Sequence, residues 1–292
     1  MLKHKIVKPI IIAEIGCNHK GDFKIAKEMI AKAKECGAEY VKFQKRNNRL
    51  LLGDKYDQPH PVPENSYGAS YGKHRDFLEF DIKQHLKLKK YCKKIGIGYS
   101  ISVWDVISAK EIIDHLNLDY VKIPSACNLN YDIHEILAKK FKKKIHISTG
   151  MTTFKEIDKI YKFYKKHKRH KDLIIYSCTS DYPVKSEDVC LLEIERMKKK
   201  YRDINSIAFS GHHLGIAIDI GAMMLGAKFI ERHFTLDRTW KGTDHAASLE
   251  PSGLKKLSRD ISHLYNSLKY KTGNGIIATE KFQRKKLKEI KI

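Results

Sequence analysis

Short runs of β-branched and other apolar residues alternate along the chain with longer segments whose apolar positions recur every three or four residues. The first pattern predicts strands and the second amphipathic helices. The opening unit shows both. "IIIAEI" predicts a strand over Ile10–Ile15, and "FKIAKEMIAKAKEC" predicts a helix over Phe23–Cys36 with Gly37 just past its end. A strand at Tyr40–Gln44 follows, then a long loop, about 47–80, rich in Pro, Gly, Asn and Tyr. Beyond it the pattern predicts helix Gln84–Ile95, strand Gly98–Ser102, helix Ser108–Leu116, strand Tyr120–Ile123, helix Tyr131–Phe141 and strand Ile145–Ser148. Helix Phe154–His167, strand Leu173–Cys178, helix Leu191–Tyr201, strand Ile207–Ser210, helix Ile216–Leu225 and strand Phe229–Phe234 complete the alternation, and a last helix runs from about Pro251 to Leu268. Eight strands, each followed by a helix, imply a parallel sheet of the α/β class, and that number suits a closed (β/α)8 TIM barrel. The competitor is an open doubly wound sheet, but "AEIGCNHKGD" after the first strand is not the GxGxxG fingerprint of a dinucleotide site. We therefore expect one barrel domain over residues 1–270 and a polar, lysine-rich extension over 271–292.

Composition narrows the setting. No apolar run reaches the ~18 residues of a membrane span, and "MLKHKIVKPIIIAEIG" lacks a cleavage site after its short apolar block. The cysteines Cys17, Cys36, Cys92, Cys127, Cys178 and Cys190 form no CxxC pair, so free thiols in a reducing cytoplasm are expected. The formal net charge of +23 raises nucleic acid, a membrane surface or an anionic substrate as partners. The runs "KKYCKK", "KKFKKK", "KKHKRHK" and "ERMKKKY" lie at the ends of predicted helices, spread along the chain. There they complement helix dipoles on a solvated surface, and no nucleic-acid motif accompanies them.

Chemistry in such a barrel sits at the C-terminal ends of the strands, and here every strand end delivers a polar or ionisable group. The first offers Glu14, then Asn18 and His19; the second Lys42 and Gln44 in "VKFQK"; the third Ser102; the fourth Lys122 and Ser125 in "VKIPS". The fifth ends in Ser148 and Thr149, the sixth in "SCTSDYP", the seventh in "SGHH" and the eighth in "ERHF". Two lysines flanked by Val41 and Phe43, and by Val121 and Ile123, point into a barrel at a cost that only an anion offsets. With the serines they suggest a mouth built for phosphate and carboxylate. His212 and His233 stand 21 residues apart in sequence but on neighbouring strands about 4.8 Å apart, so their imidazoles can share one divalent metal. His213 is the alternative to His212, since adjacent residues face opposite ways. His245 in "GTDHAAS" is a possible substrate contact. With no thiolate or carboxylate cluster in the pattern, Mn, Mg or a related catalytic ion fits better than a structural zinc.

The stretches "IIAEIGCNHKGD", "GAEYVKFQK", "YGKHRDFLEF", "KIPSACNLN", "STGMTT", "CTSDYPVKSEDV", "SGHHLGIAI" and "GAKFIERHFTLDRTWKGTDHAASLEP" occur in that order over roughly residues 10–255. Together they resemble the sialic acid synthase family, whose members condense phosphoenolpyruvate with an N-acetylmannosamine-type sugar, free or 6-phosphorylated. The resemblance implies a metal-dependent, C–O-cleaving condensation that yields N-acetylneuraminate or its 9-phosphate. By position it implies Mn or Mg on His212 and His233, phosphoenolpyruvate on Lys42, Lys122, Ser125, Ser148 and Ser210, Glu14 as acid/base, and Gln44, Tyr182, Glu231 and Asp244 facing the sugar or metal. "YGKHRDFLEF" and "TWKGTDHAASLEP" look most like the animal enzymes that use the phosphorylated sugar. Three positions depart from the common pattern: Val103 stands beside Ser102 for a Thr, Pro124–Ser125–Ala126 for Gly–Ser–Gly, and Ser180 for an Asn. The family also implies a homodimer in which a C-terminal antifreeze-like domain covers the partner's site and lends an arginine to the N-acetyl group. The sequence ends at Ile292, roughly where the linker to such a domain would begin. The expectation is a barrel without that domain, a separate chain supplying it, or a sugar held differently. The alternatives are a synthase for another acylamino sugar of the legionaminate type, an octulosonate- or heptulosonate-type synthase, and an inactive barrel that needs a partner domain.

Overall fold

The computed structural model describes residues 6–273 and 275–288. Strand β1 (Ile10–Gly16) leads to helix α1 (Phe23–Glu35), and β2 (Tyr40–Lys45) to a long connection holding α2 (Asn48–Leu52) and α3 (Tyr71–Leu78). Then follow α4 (Ile82–Ile95), β3 (Gly98–Val103), α5 (Val106–His115), β4 (Tyr120–Ile123), α6 (Tyr131–Lys140), β5 (Lys144–Ser148), α7 (Phe154–Lys166) and β6 (Leu173–Cys178). Helix α8 (Glu193–Lys200), β7 (Ser206–Gly211), α9 (Ala217–Met224), β8 (Phe229–His233), α10 (Pro251–Ser267) and α11 (Ala278–Lys288) complete the described chain. The eight strands run parallel, pair in sequence order and close when β1 meets β8, with Glu14 opposite His233. The predicted (β/α)8 barrel is the observed fold.

Strand alternation separates two cores. Ile11, Ala13 and Ile15 on β1, Val41 and Phe43 on β2 and Val121 and Ile123 on β4 face outward into the large layer between strands and helices. The inward positions form a small apolar plug of Ile12, Tyr120, Ile174, Tyr176 and Ala208. His146 stacks on Tyr120, with centroids 3.8 Å apart, and bonds the Tyr176 hydroxyl at 2.8 Å. One inward step toward the strand C-termini the side chains turn polar. That change, from plug to charged layer, creates the site.

Two expectations are corrected. The segment predicted as a loop over about 47–80 contains α2 and α3, because Asn47 and Ser70 cap them and Asp76 ties them together through Asn48 and Tyr56. Gly72 is needed there, since a Cβ would meet the Tyr56 ring at 2.3 Å. Helix α4 begins at Ile82 rather than Gln84, because Asp81 and Gln84 form a reciprocal capping box that satisfies the first turn's N–H groups. No described helix is long and apolar enough to cross a membrane.

Four histidines are buried for packing rather than chemistry. His19 stacks on Phe80, His85 bonds Tyr99, His134 bonds Tyr164 and the Asn128 carbonyl, and His146 fills the plug. Burial is the leading cause that holds His19 and His85 at about 3, His134 at about 4 and His146 well below its ordinary value. In the unfolded chain each titrates near 6.5. Below that pH the unfolded state takes up protons that the folded state refuses, so stability present above pH 6.5 is lost as pH falls. Each histidine should cost about 1.4 kcal/mol between pH 7.5 and 5.5. Urea unfolding at those two pH values measures this, and a pH-independent midpoint would contradict neutral burial.

Candidate active site

The polar layer rests on an ion-pair chain. Lys42 Nζ lies 2.5 Å from Glu14 Oε2 and 3.7 Å from Glu231 Oε2, and it donates to Ser102 Oγ at 2.6 Å. Lys122 Nζ lies 2.5 Å from Glu231 Oε1 and 4.1 Å above the Tyr176 ring. Gln44 Nε2 donates to Glu14 Oε1 at 2.8 Å, and Ser210 Oγ donates to Glu231 Oε1 at 3.2 Å. All four charged groups are almost fully buried. Burial alone would raise the Glu231 carboxyl, but Lys122 and Lys42 overcome it and hold it at about 2. Burial pulls Lys122 below its ordinary value against the attraction of Glu231. The close contact favours the ion-paired form. The two lysines expected to meet an anion therefore meet two carboxylates of the barrel itself. Glu231 Oε2 is buried and makes no hydrogen bond, so it keeps acceptor capacity.

Beside this chain stand the histidines. His212 and His233 have ring centroids 5.5 Å apart, and Tyr182 stacks on His212 at 4.1 Å. His212 Nδ1 lies 2.7 Å from the Thr179 carbonyl. A carbonyl only accepts, so Nδ1 carries the proton and Nε2 a free lone pair. Burial and then His233 push His212 down to about 3, which keeps it neutral. His233 Nδ1 is buried without a hydrogen bond, 3.8 Å from Asp244 Oδ2. Among the described residues no three His, Cys, Asp or Glu side chains converge as a closed metal site. Two adjacent imidazoles are the donor set of an open site, in which solvent or substrate supplies the remaining positions.

His213 is not the ligand alternative. It faces the other way, into a buried bracket where Arg232 binds Asp219, the Gly215 carbonyl and both the ring and the carbonyl of His213. That bracket ties the ends of β7 and β8 to the start of α9. Thr149 is likewise taken, its hydroxyl donating to the Tyr176 carbonyl at 2.8 Å. His245 bonds Thr235 Oγ1 at 2.8 Å and borders the cavity.

A cavity of about 310 Å³ opens above this floor, within the range of small-molecule sites. It brings together Glu14, Lys42, Gln44, Lys122, Ser125, Ser148, Tyr182, Ser210, His212, Glu231, His233 and Asp244, every site residue expected from sequence. Ser125 Oγ accepts from the Gly150 N–H at 3.0 Å, so the strand-four serine sits beside the strand-five turn. Sequence reasoning missed Arg46, Tyr67, His74, Arg75, Trp104 and Lys241, which line the same cavity. For Arg46, Tyr67, His74 and Arg75 the signal was the length of the connection after β2. Nothing in the sequence says that it folds back over the barrel mouth.

Fold and cavity define a (β/α)8-barrel enzyme whose floor is a buried ion-pair chain. Residues 29–273 match the NeuB family, and the chain belongs to this family of sialic acid synthases. It is 41% identical to N-acetylneuraminate-9-phosphate synthase of Homo sapiens over 86% of this chain and 68% of that protein. It is 33% identical to N,N'-diacetyllegionaminic acid synthase of Campylobacter jejuni over 96% of this chain and 82% of that one. Among solved structures, N-acetylneuraminic acid synthetase from Leptospira borgpetersenii, in complex with citrate, superposes with a TM-score of 0.78 at 29% identity, covering 97% of this chain and 93% of that one.

The ion-pair chain has a measurable stability consequence. Glu231→Gln leaves buried Lys122 without its counterion and should lower the unfolding free energy by about 3 kcal/mol in urea titration. The double variant Lys122→Met/Glu231→Leu should recover most of that loss. If Glu231→Gln is as stable as the parent, Glu231 is not the compensating charge.

Proposed function

We propose that the chain condenses phosphoenolpyruvate with an N-acetylmannosamine-type sugar, giving a nine-carbon 2-keto acid and inorganic phosphate. The observation that carries this reading is the floor of the cavity. Two buried lysines and two buried glutamates stand beside a pair of histidines that line the same cavity of about 310 Å³. The human and Campylobacter relatives bear the names of synthases for such acids.

Lys42 and Lys122 would receive the phosphate and carboxylate of phosphoenolpyruvate, with the hydroxyls of Ser125, Ser148 and Ser210 completing the shell. Since Glu14 and Glu231 already hold both lysines in position, the binding of this anion requires no reorganisation of distant charges. His212 and His233 would hold a divalent Mn or Mg ion, which supplies Lewis-acid polarisation of the sugar aldehyde when bound. Asp244, Gln44 and Tyr182 would orient the open-chain sugar so that its C1 faces C3 of phosphoenolpyruvate. C3 attacks C1, forming the C–C bond. Water adds at C2, and phosphate departs with cleavage of the C2–O bond. Glu14, the carboxylate nearest Lys42, would move the proton between the entering water and the new hydroxyl.

Phosphate release from phosphoenolpyruvate tests this reading. With Mn or Mg and an N-acylated mannosamine it should proceed, stop with chelator and resume on adding metal. His233→Ala should retain the parent's circular dichroism, lose turnover by at least about a hundredfold, and bind Mn more weakly by paramagnetic resonance. Undiminished turnover or Mn binding in that variant would remove His233 from the metal site.

A further inference from the structure

The histidine pair has a fastening that the backbone does not supply. The ladder between β7 and β8 pairs Phe209 with Ile230, Ser210 with Glu231 and Gly211 with Arg232, and goes no further. His212 and His233 each stand one residue past its last pair. His233 is held from the β1 side, opposite Glu14. His212 is held from the segment after β6, where its carbonyl accepts the Val184 N–H at 3.2 Å and Val184 bridges His213. Each imidazole thus follows a different neighbour, and no backbone pairing fixes one against the other.

Side chains make that link. His212 and His233 line the cavity, so the residues beside them, His213 and Arg232, face the other way, toward α9. Arg232 Nη1 lies 3.0 Å from His213 Nε2 and donates to the Gly215 carbonyl at 2.9 Å, while Nη2 donates to the His213 carbonyl. Asp219, in the first turn of α9, pairs with Arg232 and lies 3.3 Å from His213 Nε2. All three side chains are buried. Stability alone does not favour this arrangement. His213 Nδ1, Asp219 Oδ1 and Arg232 Nε are buried with no hydrogen-bond partner among the described residues. Such atoms are costly, and apolar residues of similar volume would fill the space without them. What apolar residues lack is direction: a planar guanidinium holds several acceptors at set angles.

We infer that Arg232, with Asp219 and His213, is a positioning group for the histidine pair, holding the imidazoles of His212 and His233 at the separation at which one divalent ion binds both. This rests on the proposed metal site and goes beyond it, since none of the three lines the cavity. The lever is short. One peptide joins Arg232 to His233 and one joins His213 to His212, so a shift of the guanidinium passes to both rings.

The test is Mn binding to the full chain by paramagnetic resonance, with imidazole 1H–15N NMR of the metal-free chain as a second readout. Arg232→Met/Asp219→Leu replaces the ion pair by apolar residues and should keep the parent's urea midpoint, yet bind Mn about tenfold more weakly. Arg232→Lys keeps the charge beside Asp219 but not the fork. It should lose a similar factor, and it keeps the test open if the double variant does not fold. Tyr164→Phe removes the hydroxyl that bonds His134, away from the cavity, and should lower stability while leaving Mn affinity unchanged. Parent-like Mn affinity in the folded bracket variants overturns the positioning role, as does an equal loss of affinity in Tyr164→Phe. If the parent itself binds no Mn, the proposed metal site fails and the spectra decide. In the metal-free parent His212 carries its proton on Nδ1, facing the Thr179 carbonyl. Appearance of the other tautomer in the bracket variants upholds the positioning role, and an unchanged tautomer overturns it.

Discussion

The site depends on one constraint: lysine inside a closed barrel must be neutralised where no water reaches it. An isolated ammonium buried there would lose its proton or unfold the barrel. Here the barrel supplies the counterions from its own first and last strands. Glu14 answers Lys42 across neighbouring strands, and Glu231 answers Lys122 across the lumen. The alternation from β1 through β2 and β8 to β4 is supported by hydrogen bonds that Gln44 and Ser210 donate and one that Ser102 accepts. Such a chain contributes little net stability compared with an apolar plug. It fixes the four charged groups in place at the cavity floor.

The same economy appears behind the histidines. Arg232 has no exposed surface to speak of, and the two terminal nitrogens of its guanidinium are bound by Asp219, Gly215 and His213. It lies one residue from His233 and bonds the residue after His212. The ends of β7 and β8 therefore cannot separate without breaking buried hydrogen bonds between Arg232 and His213. On the cavity side, the Thr179 carbonyl selects the tautomer of His212, so that the lone pair faces the open space. Strand geometry brings the two imidazoles together, while the polar groups around them decide which nitrogen is free.

The connection after β2 is the part of the enzyme that the barrel does not dictate. It carries Tyr67, His74 and Arg75 to the mouth and is anchored there by backbone and side-chain bonds to residues 241 and 242. Membership of a family whose relatives act on different acylamino sugars fits this division.

Local pattern was enough to reveal the barrel, because alternation every two residues in strands and every three to four in helices is a direct consequence of backbone geometry. The same alternation put Lys42, Lys122 and Glu231 inside, and chain order put His212 and His233 on adjacent strands. The capping box of Asp81 and Gln84, which starts α4 at Ile82, is equally local. What periodicity could not supply were partners across the lumen. Lys122 and Glu231 are 109 residues apart, and nothing short of barrel closure brings them to 2.5 Å. Nor could it decide between His212 and His213, which depended on Arg232 and Asp219 claiming one of them, or bring Arg75 and Lys241 to one cavity. Residue identity along the chain determines which way each side chain faces; only the closed sheet and the folded connections determine what it finds there.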